Sequence, residues 1–165
     1  MQTNPTSVIN DDHIAFMQRG ISINVAACDR HNVPRQVRAF GCKVSPDGLL
    51  VTVFVPASRA AAVLTDIRSN SVIAAVFSEP STNRTIQIKG HDAHISNVTD
   101  GDLLLVETYR DAFARELEPL GHTSEFTHAL LNCPPSDIVA LSFTPTAAFS
   151  QTPGPKAGEL LKMQA

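Results

Sequence analysis

The chain has 165 residues, a net charge of −3, 43% hydrophobic residues and 18% charged residues. This composition is typical of a folded chain, and the length favours one domain with a substantial core. The negative net charge gives no reason to expect nucleic acid or an anionic membrane as a partner. No segment approaches the roughly 20 apolar residues of a membrane span, and the polar residues 1–12 do not resemble a signal peptide. We therefore expect a cytoplasmic protein.

The cysteines and histidines give little support to a metal site. Cys28, Cys42 and Cys133 are widely spaced and include no Cys-x-x-Cys pair, whereas zinc sites use closely spaced ligands. His91 and His94 are three residues apart and would point to opposite faces of a strand. In a reducing compartment the cysteines would stay thiols. We expect three free cysteines and no bound metal.

Alternating apolar residues and turn signals organise the first third of the chain. Asp12 can cap a short helix over 13–19. Alternation predicts strands over 21–27, 36–44 and 49–55. The Ser-Pro-Asp-Gly sequence before the third strand is typical of a tight turn. The three strands are therefore predicted to form an antiparallel meander.

A helix and two further strands follow. Residues 58–69 carry one apolar stripe with the spacing of a helix, at Ala60, Val63, Leu64 and Ile67. Residues 72–77 are apolar almost throughout, which indicates a strand covered on both faces. Residues 84–89 alternate cleanly, and Gly90 indicates a bulge or a close approach of two backbones, after which the strand resumes through Ile95.

The last third is predicted to be helical before it returns to strand. A helix over 100–118 has acidic residues at its start and apolar residues at helical spacing. Those apolar positions are Leu103, Val106, Tyr109, Phe113 and Leu117. A shorter helix over 124–131 completes a helical segment, 100–132, and residues 138–143 form the final predicted strand.

These elements predict an α+β fold in a single domain over 1–150, followed by a Pro/Gly-rich C-terminal tail over 151–165. About six strands joined by short turns, with three or four helices, favour a small antiparallel β-barrel with peripheral helices. The tail is expected to be extended and mobile through residue 158, with helical character over 159–165.

Ser58 and Arg59 stand where a predicted strand gives way to a predicted helix. The first turn of a helix offers unpaired N–H groups and a positive dipole end, and Arg59 adds a fork of donors. The pair therefore predicts an anion-binding site. The alternative is that Ser58 only caps the helix and Arg59 is solvated.

Three stretches resemble the pyridoxamine 5′-phosphate oxidase-like family, the FMN-binding split β-barrels. They are Val53-Phe-Val-Pro-Ala-Ser-Arg59, then Asn70, then Arg84-Thr-Ile-Gln-Ile-Lys-Gly90. The resemblance covers roughly residues 21–95. It implies a six-stranded split barrel, FMN as cofactor, and a homodimer with the flavin at the subunit interface.

Carried over residue by residue, the resemblance places the flavin phosphate at Ser58, Arg59 and Arg38, with Arg35 as the alternative to Arg38. The full set of implied cofactor-binding residues is Arg38, Val53, Phe54, Ser58, Arg59, Arg84, Thr85 and Gln87. Phe54, Ala60 and Thr85 depart from the residues that the family usually has there. Residues 146–165 contain no arginine or histidine to grip a substrate phosphate, so oxidation of pyridoxamine phosphate is not expected.

No residue is singled out as a catalytic acid, base or nucleophile. The chain has no Gly-x-Ser-x-Gly elbow, Gly-x-Gly-x-x-Gly loop or P-loop. The resemblance predicts a flavin-dependent oxidoreductase that acts on an unidentified small molecule. The alternatives are a non-catalytic flavin-binding or stress-related sensor on the same fold, and a barrel that has lost flavin and serves as a scaffold. Haem would require a histidine ligand, and the sequence singles out none.

Overall fold

A computed structural model describes residues 7–161, which form four α-helices and nine strands. The helices are α1 (Asp11–Met17), α2 (Ala57–Asn70), α3 (Asp100–Leu117) and α4 (Ser124–Leu130). The strands are β1 (Ser22–Cys28), β2 (Pro34–Arg38), β3 (Cys42–Val44), β4 (Val51–Pro56), β5 (Ile73–Ser78), β6 (Thr85–Gly90), β7 (His94–Asn97), β8 (Ile138–Phe143) and β9 (Ala147–Ser150).

The strands form two antiparallel sheets, which confirms the predicted α+β class. The first sheet has the order β2-β1-β5-β6-β9 and the second has the order β3-β4-β8-β7. Within residues 7–161 no strand pairs across the two sheets, so the described strands do not close into one six-stranded barrel. The apolar core lies between the sheets and includes the fully buried rings of Phe16, Phe40, Phe54, Phe77 and Phe143.

The predicted strand over 36–44 is two strands, because the chain passes from one sheet to the other near Gly41. Gly41 has a φ of +132°, a value that glycine adopts far more readily than other residues. Just before it, the Ala39 N–H donates to Ile23 O in the first sheet, whereas the Phe40 N–H donates to Phe54 O in the second sheet. The apolar positions shift from odd numbers (Val37, Ala39) to even numbers (Phe40, Cys42, Val44) at this break, and the single-strand prediction passed over that shift.

A second change of sheet explains the end of β6. The predicted continuation through Ile95 is a separate strand, β7, which pairs with β8 in the second sheet. Gly90 marks a close approach: a Cβ atom there would lie 2.6 Å from Phe143 Cδ2 and 2.9 Å from Thr144 O. β5 also differs from its prediction, because its alternate residues, including Ala74 and Val76, are only half-buried.

The remaining differences lie at the chain ends. Asn10, rather than Asp12, caps α1 through the N–H of His13. β8 is not the last strand, since β9 pairs with β6. The described part of the tail folds back on β9, where Leu160 forms a bridge with Phe149, so helix is absent over 159–161. Predictions for residues 1–6 and 162–165 lie outside the described residues.

None of the helices in the described part of the chain combines the length and the apolar character that a bilayer span requires.

The close approach at Gly90 makes a prediction about stability. We expect Gly90→Ala to lower the free energy of unfolding by about 1–3 kcal/mol, because the added methyl group must displace Phe143 or the backbone of Thr144. Gly101, in the first turn of α3, is a matched control, since a Cβ there would lie 3.7 Å from its nearest neighbour. Gly101→Ala should be neutral or stabilising by up to about 1 kcal/mol. Urea denaturation of both variants tests this, and equal effects would contradict it.

Candidate functional site

The N-terminus of α2 takes its hydrogen-bond acceptor from a distant part of the chain. Pro56 occupies the capping position and has no side chain that accepts a hydrogen bond. Asp137 fills this role: the Ser58 N–H donates to Asp137 Oδ1 at 2.9 Å, and the Ser58 hydroxyl donates to Asp137 Oδ2 at 2.6 Å. Ser58 is therefore not the helix cap. It is a donor to an anion.

Arg59 is engaged by the chain rather than by solvent alone. Its guanidinium donates to Leu130 O at 3.1 Å and to Asn132 O at 2.6 Å, so it binds the carbonyl groups at the end of α4. The same guanidinium lies 5.6 Å from the centre of the Phe40 ring. Planar cations are stabilised by contact with aromatic faces at this range.

A second arginine, Arg110 of α3, lies against the same ring. Its guanidinium carbon is 5.7 Å from the Phe40 ring centre, and it donates to Cys133 O at 3.3 Å and to Glu107. The residue is buried, with 9% of its surface exposed. Its Nε atom has no hydrogen-bond partner among residues 7–161. A buried donor without a partner is costly and uncommon.

Residues 130–137 run from the last residue of α4 to the residue before β8 and are called the strap below. Arg59 and Arg110 hold the strap through its backbone carbonyl groups, and Ser58 holds it through Asp137. We call Phe40, Ser58, Arg59, Arg110 and Asp137 the α2-mouth cluster. The cluster joins α2, α3, the strap and the crossover between the sheets at one place.

The thiol of Cys133, in the strap, is not poised for nucleophilic chemistry. Burial raises its pKa, an effect that the neighbouring Arg110 and Arg59 only partly offset. Burial likewise raises the pKa of Cys42. Cys28, Cys42 and Cys133 are all free. No group of three or more potential metal ligands occurs in the part of the chain that the structure describes.

Arg38 and Gln87 lie together on the open face of the first sheet. The strand register places Arg38, Asn24, Val76, Gln87 and Phe149 side by side in one row. Their side chains alternate with the buried ones and so point away from the core. The Arg38 guanidinium donates to Ser22 Oγ at 3.1 Å and lies 5.7 Å from the centre of the Phe113 ring.

Thr85 lies on the same face, where its hydroxyl is 2.8 Å from the hydroxyl of Ser78. Arg84 is turned toward α1: it pairs with Asp12 and lies 4.2 Å from the centre of the Phe16 ring. Its hydrogen bond lowers the pKa of Asp12. The alternative to Arg38, Arg35, is held by both carboxylate oxygens of Asp66 at 2.9 Å.

Val53 and Phe54 belong to the core. Both lie on β4 with 0% of their surface exposed. Phe54 exchanges backbone hydrogen bonds with Phe40 and Gly41, which fixes the crossover between the sheets. Side chains without exposed surface cannot reach a ligand that binds at the protein surface.

The residues predicted from the sequence therefore fall into separate groups. Arg59 belongs to the α2-mouth cluster and Arg38 to the open face of the first sheet, and α3 contacts both groups. Within the α2-mouth cluster Arg110 of α3 lies against Phe40, and Phe113, one turn further along α3, lies against Arg38. Sequence reasoning missed Arg110 and Asp137. Arg110 directly follows Tyr109 of the predicted apolar stripe, which is a weak signal of burial. No local pattern marks Asp137 as a partner of Ser58.

Two polar contacts, one buried and one half-buried, hold α3 in this position. The Tyr109 hydroxyl donates to Ile21 O at 2.7 Å. At the start of the helix, Lys43 Nζ donates to Asp102 Oδ1 at 2.5 Å, and the Thr99 N–H donates to Asp102 Oδ2 at 3.0 Å. Burial opposes ionisation of Asp102, but the hydrogen bonds from Lys43 and Thr99 outweigh it, so its pKa is lowered from the ordinary value of 3.8.

This lowered pKa predicts an acid dependence of stability. A carboxylate whose pKa is lower in the folded state stabilises the fold above its unfolded pKa, and that contribution is lost as the pH falls through the folded value. We expect the stability of the chain to fall below about pH 3.8. In Asp102→Asn the difference in stability between pH 6 and the acid range should shrink, as measured by urea denaturation at several pH values. Asp100→Asn, in the same helical turn, is the control. An unchanged acid dependence in Asp102→Asn would contradict the prediction.

The fold is similar to that of several solved structures. A structure of HupZ from Group A Streptococcus is similar with a TM-score of 0.54 and 15% identity, covering 91% of this chain and 99% of that one. An F420 reductase is similar with a TM-score of 0.54 and 14% identity, covering 85% and 98%. A protein of the pyridoxine phosphate oxidase family from Clostridium acetobutylicum is similar with a TM-score of 0.53 and 14% identity, covering 94% of each chain.

These likenesses confirm, at the level of the fold, the resemblance to the pyridoxamine 5′-phosphate oxidase-like family that the sequence motifs indicated. At 14–15% identity they concern the fold alone. Comparison with models of protein families gives no match, and comparison with curated proteins gives none either.

Proposed function

We propose that this chain is a flavin-binding split-barrel protein that holds the phosphate of FMN at the α2-mouth cluster and acts as an oxidoreductase on a small molecule. The observation that carries the proposal is the carboxylate of Asp137 bound at the mouth of α2 by the N–H and hydroxyl groups of Ser58. A carboxylate and a phosphate need the same kind of donors, so Asp137 acts as a stand-in for the proposed ligand.

The residues at the cluster fit a phosphate group. Ser58 would supply a backbone and a hydroxyl donor, and the exchange of Asp137 for phosphate keeps both in use. Arg59, which follows Ser58 directly, supplies positive charge, and Arg110 shares the Phe40 ring with Arg59 and has an Nε donor without a partner among residues 7–161. Arg38 and Gln87, on the open face of the first sheet, are proposed to contact the rest of the cofactor. When bound, flavin would supply the electron transfer, and the protein would bind and orient it.

Similar structures support a redox role. One is an F420 reductase and another belongs by its description to the pyridoxine phosphate oxidase family. Oxidation of pyridoxamine phosphate itself remains an unsupported reaction for this chain, since residues 146–165 lack arginine and histidine. The cytoplasmic location stays a prediction, to which the three free cysteines give support.

A homodimer is part of the proposal, with the open face of the first sheet as its contact surface. Small and apolar side chains, among them Ala26, Ala74 and Val76, occupy this face and are half-buried in the single chain. A groove of about 310 Å³ lies on the same face, between β1, β5 and the end of β6. A second copy placed on this face would enclose the groove beside Arg38 and Gln87.

A non-catalytic flavin-binding or sensor protein is the second candidate. The observation that favours it is that Ser58 and Arg59 are both engaged by the strap, so the cofactor must compete with the chain itself. Reduction of the bound flavin by NADH or NADPH distinguishes the two candidates. Reduction faster than that of free flavin supports the oxidoreductase, and the rate of free flavin supports the binding protein.

Flavin binding is tested first by absorption spectra of the protein purified without added cofactor, then after incubation with FMN and desalting. We expect flavin bands to be retained. Arg59→Ala should raise the dissociation constant for FMN about 10- to 100-fold, because a charged hydrogen bond contributes about 1.5–3 kcal/mol. Riboflavin, which lacks the phosphate, should bind equally to both proteins. Arg115→Ala, which removes an exposed arginine from helix α3, is the control.

Absence of flavin bands in both spectra would overturn the proposal. A Soret band would indicate that the chain binds haem instead of flavin. Equal effects of Arg59→Ala on the binding of FMN and of riboflavin would contradict a phosphate site at the α2 mouth. The proposal that the chain binds flavin would still stand.

The dimer is tested by a charge on the open face. We expect Val76→Lys to convert a dimer to a monomer, because an ammonium group buried in an apolar contact loses its hydration. Light scattering coupled to size-exclusion chromatography measures the mass. Ser96→Lys puts the same charge on an exposed position of β7 in the other sheet and should leave the dimer intact. A monomeric parent protein, or a dimeric Val76→Lys, would contradict the proposed surface.

A further inference from the structure

We propose that Asp137 is an intramolecular competitor for the phosphate site, so that the strap holds the chain in a closed state and a phosphate-bearing ligand binds by displacing this carboxylate. The inference rests on the proposed function, because it concerns the regulation of the same site. It adds a regulating group within the chain that the resemblance to known families does not supply.

The first support is the completeness of the contact. Both oxygens of Asp137 are used, one by the backbone and one by the side chain of Ser58, at 2.9 and 2.6 Å. This is the way in which a helix N-terminus binds an oxyanion. Asp137 lies in the strap immediately before β8, so the covalent chain keeps the carboxylate at the site at a high effective concentration.

The second support is the way in which the arginines are occupied. Arg59 and Arg110 lie on the same ring, yet both donate to neutral carbonyl groups of the strap rather than to a carboxylate there. The one carboxylate that pairs with Arg110 among the described residues is Glu107, on the exposed side of α3. Neutral acceptors are weaker partners for guanidinium groups than phosphate oxygens are. Arg59 therefore has only neutral acceptors, and no salt bridge among residues 7–161 balances its charge in the closed state.

The third support is the unpaired Nε atom of Arg110. It is buried, and none of residues 7–161 accepts a hydrogen bond from it. A bound phosphate carries about −1.5 to −2 charges and three acceptor oxygens, whereas Asp137 carries one charge and has both oxygens occupied. An incoming phosphate therefore brings further acceptor oxygens and more charge to the cluster in which this donor is unsatisfied.

Displacement needs little disruption of the fold. Ser58 and the neighbouring strap residues Pro135 and Ser136 are exposed, and Asp137 is only half-buried. The buried residues Cys133 and Ile138 anchor the strap on either side. Asp137 can thus leave Ser58 while the strap stays attached to the core.

The experiment compares the intact protein with Asp137→Asn for three probes: FMN, riboflavin and inorganic phosphate. The substitution is isosteric but removes the charge, so the competitor is weakened without a change of shape. We expect FMN to bind about tenfold or more tightly to Asp137→Asn and riboflavin to bind both proteins equally. Inorganic phosphate should raise the melting temperature of Asp137→Asn more than that of the parent protein. Glu159→Gln removes one exposed negative charge elsewhere and should behave like the parent.

A second measurement follows the strap directly. On addition of FMN or inorganic phosphate to the parent protein, hydrogen exchange of the segment 130–137 should become faster while that of α2 stays slow. Should Asp137→Asn fail to fold, Asp137→Ser provides the binding comparison, and the exchange experiment needs no variant.

The outcomes separate this inference from the proposed function. If FMN binds equally to the parent and to Asp137→Asn and leaves hydrogen exchange of the strap unchanged, the proposed competition by Asp137 is overturned, whereas the proposed flavin binding stands. If inorganic phosphate selectively stabilises Asp137→Asn but neither flavin binds, the competitor is supported and the flavin proposal fails. If inorganic phosphate raises the melting temperatures of both proteins equally and leaves hydrogen exchange of the strap unchanged, the proposed competition by Asp137 is overturned.

Discussion

The start of α2 requires an acceptor that its own sequence does not supply. β4 runs directly into the helix through Pro56, which has no side-chain acceptor, so the first N–H groups of α2 must be satisfied from elsewhere. The acceptor is Asp137, at the junction of the strap and β8. Because β8 pairs with β4 along its full length, the same pairing that builds the second sheet brings Asp137 to Ser58.

α3 connects this junction to the rest of the molecule. Lys43 and Asp102 fix its beginning, and Tyr109 fixes its middle to Ile21, just before the start of β1. With the helix held in this way, Arg110 lies against the Phe40 ring and Phe113 lies against Arg38. The α2-mouth cluster and the row of side chains on the first sheet are therefore both in contact with α3. A ligand with a charged phosphate and a flat ring needs both kinds of surface.

The sequence predicted the local elements well because their signals are local. The apolar stripe of α3 and the alternation of β6 each arise from the period of the element itself. The crossover at Gly41 was missed because the alternating stretches on its two sides were taken as one strand, although the apolar positions shift from odd to even numbers there. Residues 72–77 were predicted to be covered on both faces, but Ala74 and Val76 of β5 are only half-buried. A run of apolar residues does not reveal which other part of the chain packs on each face. Arg38 and Gln87 share one row only through the register of β1, β5 and β6.

The sequence by itself determined the order and type of most of the elements, the strand-to-helix junction with Ser58 and Arg59, and the resemblance on which the flavin proposal rests. Only the tertiary structure decided what those two residues bind. Arg110, Asp137 and Ser58 lie on different elements, and hydrogen bonds between such distant positions depend on strand pairing and helix docking rather than on periodicity. That is why a site that the sequence presents as an open anion socket is, in the folded chain, already bound to a carboxylate of its own.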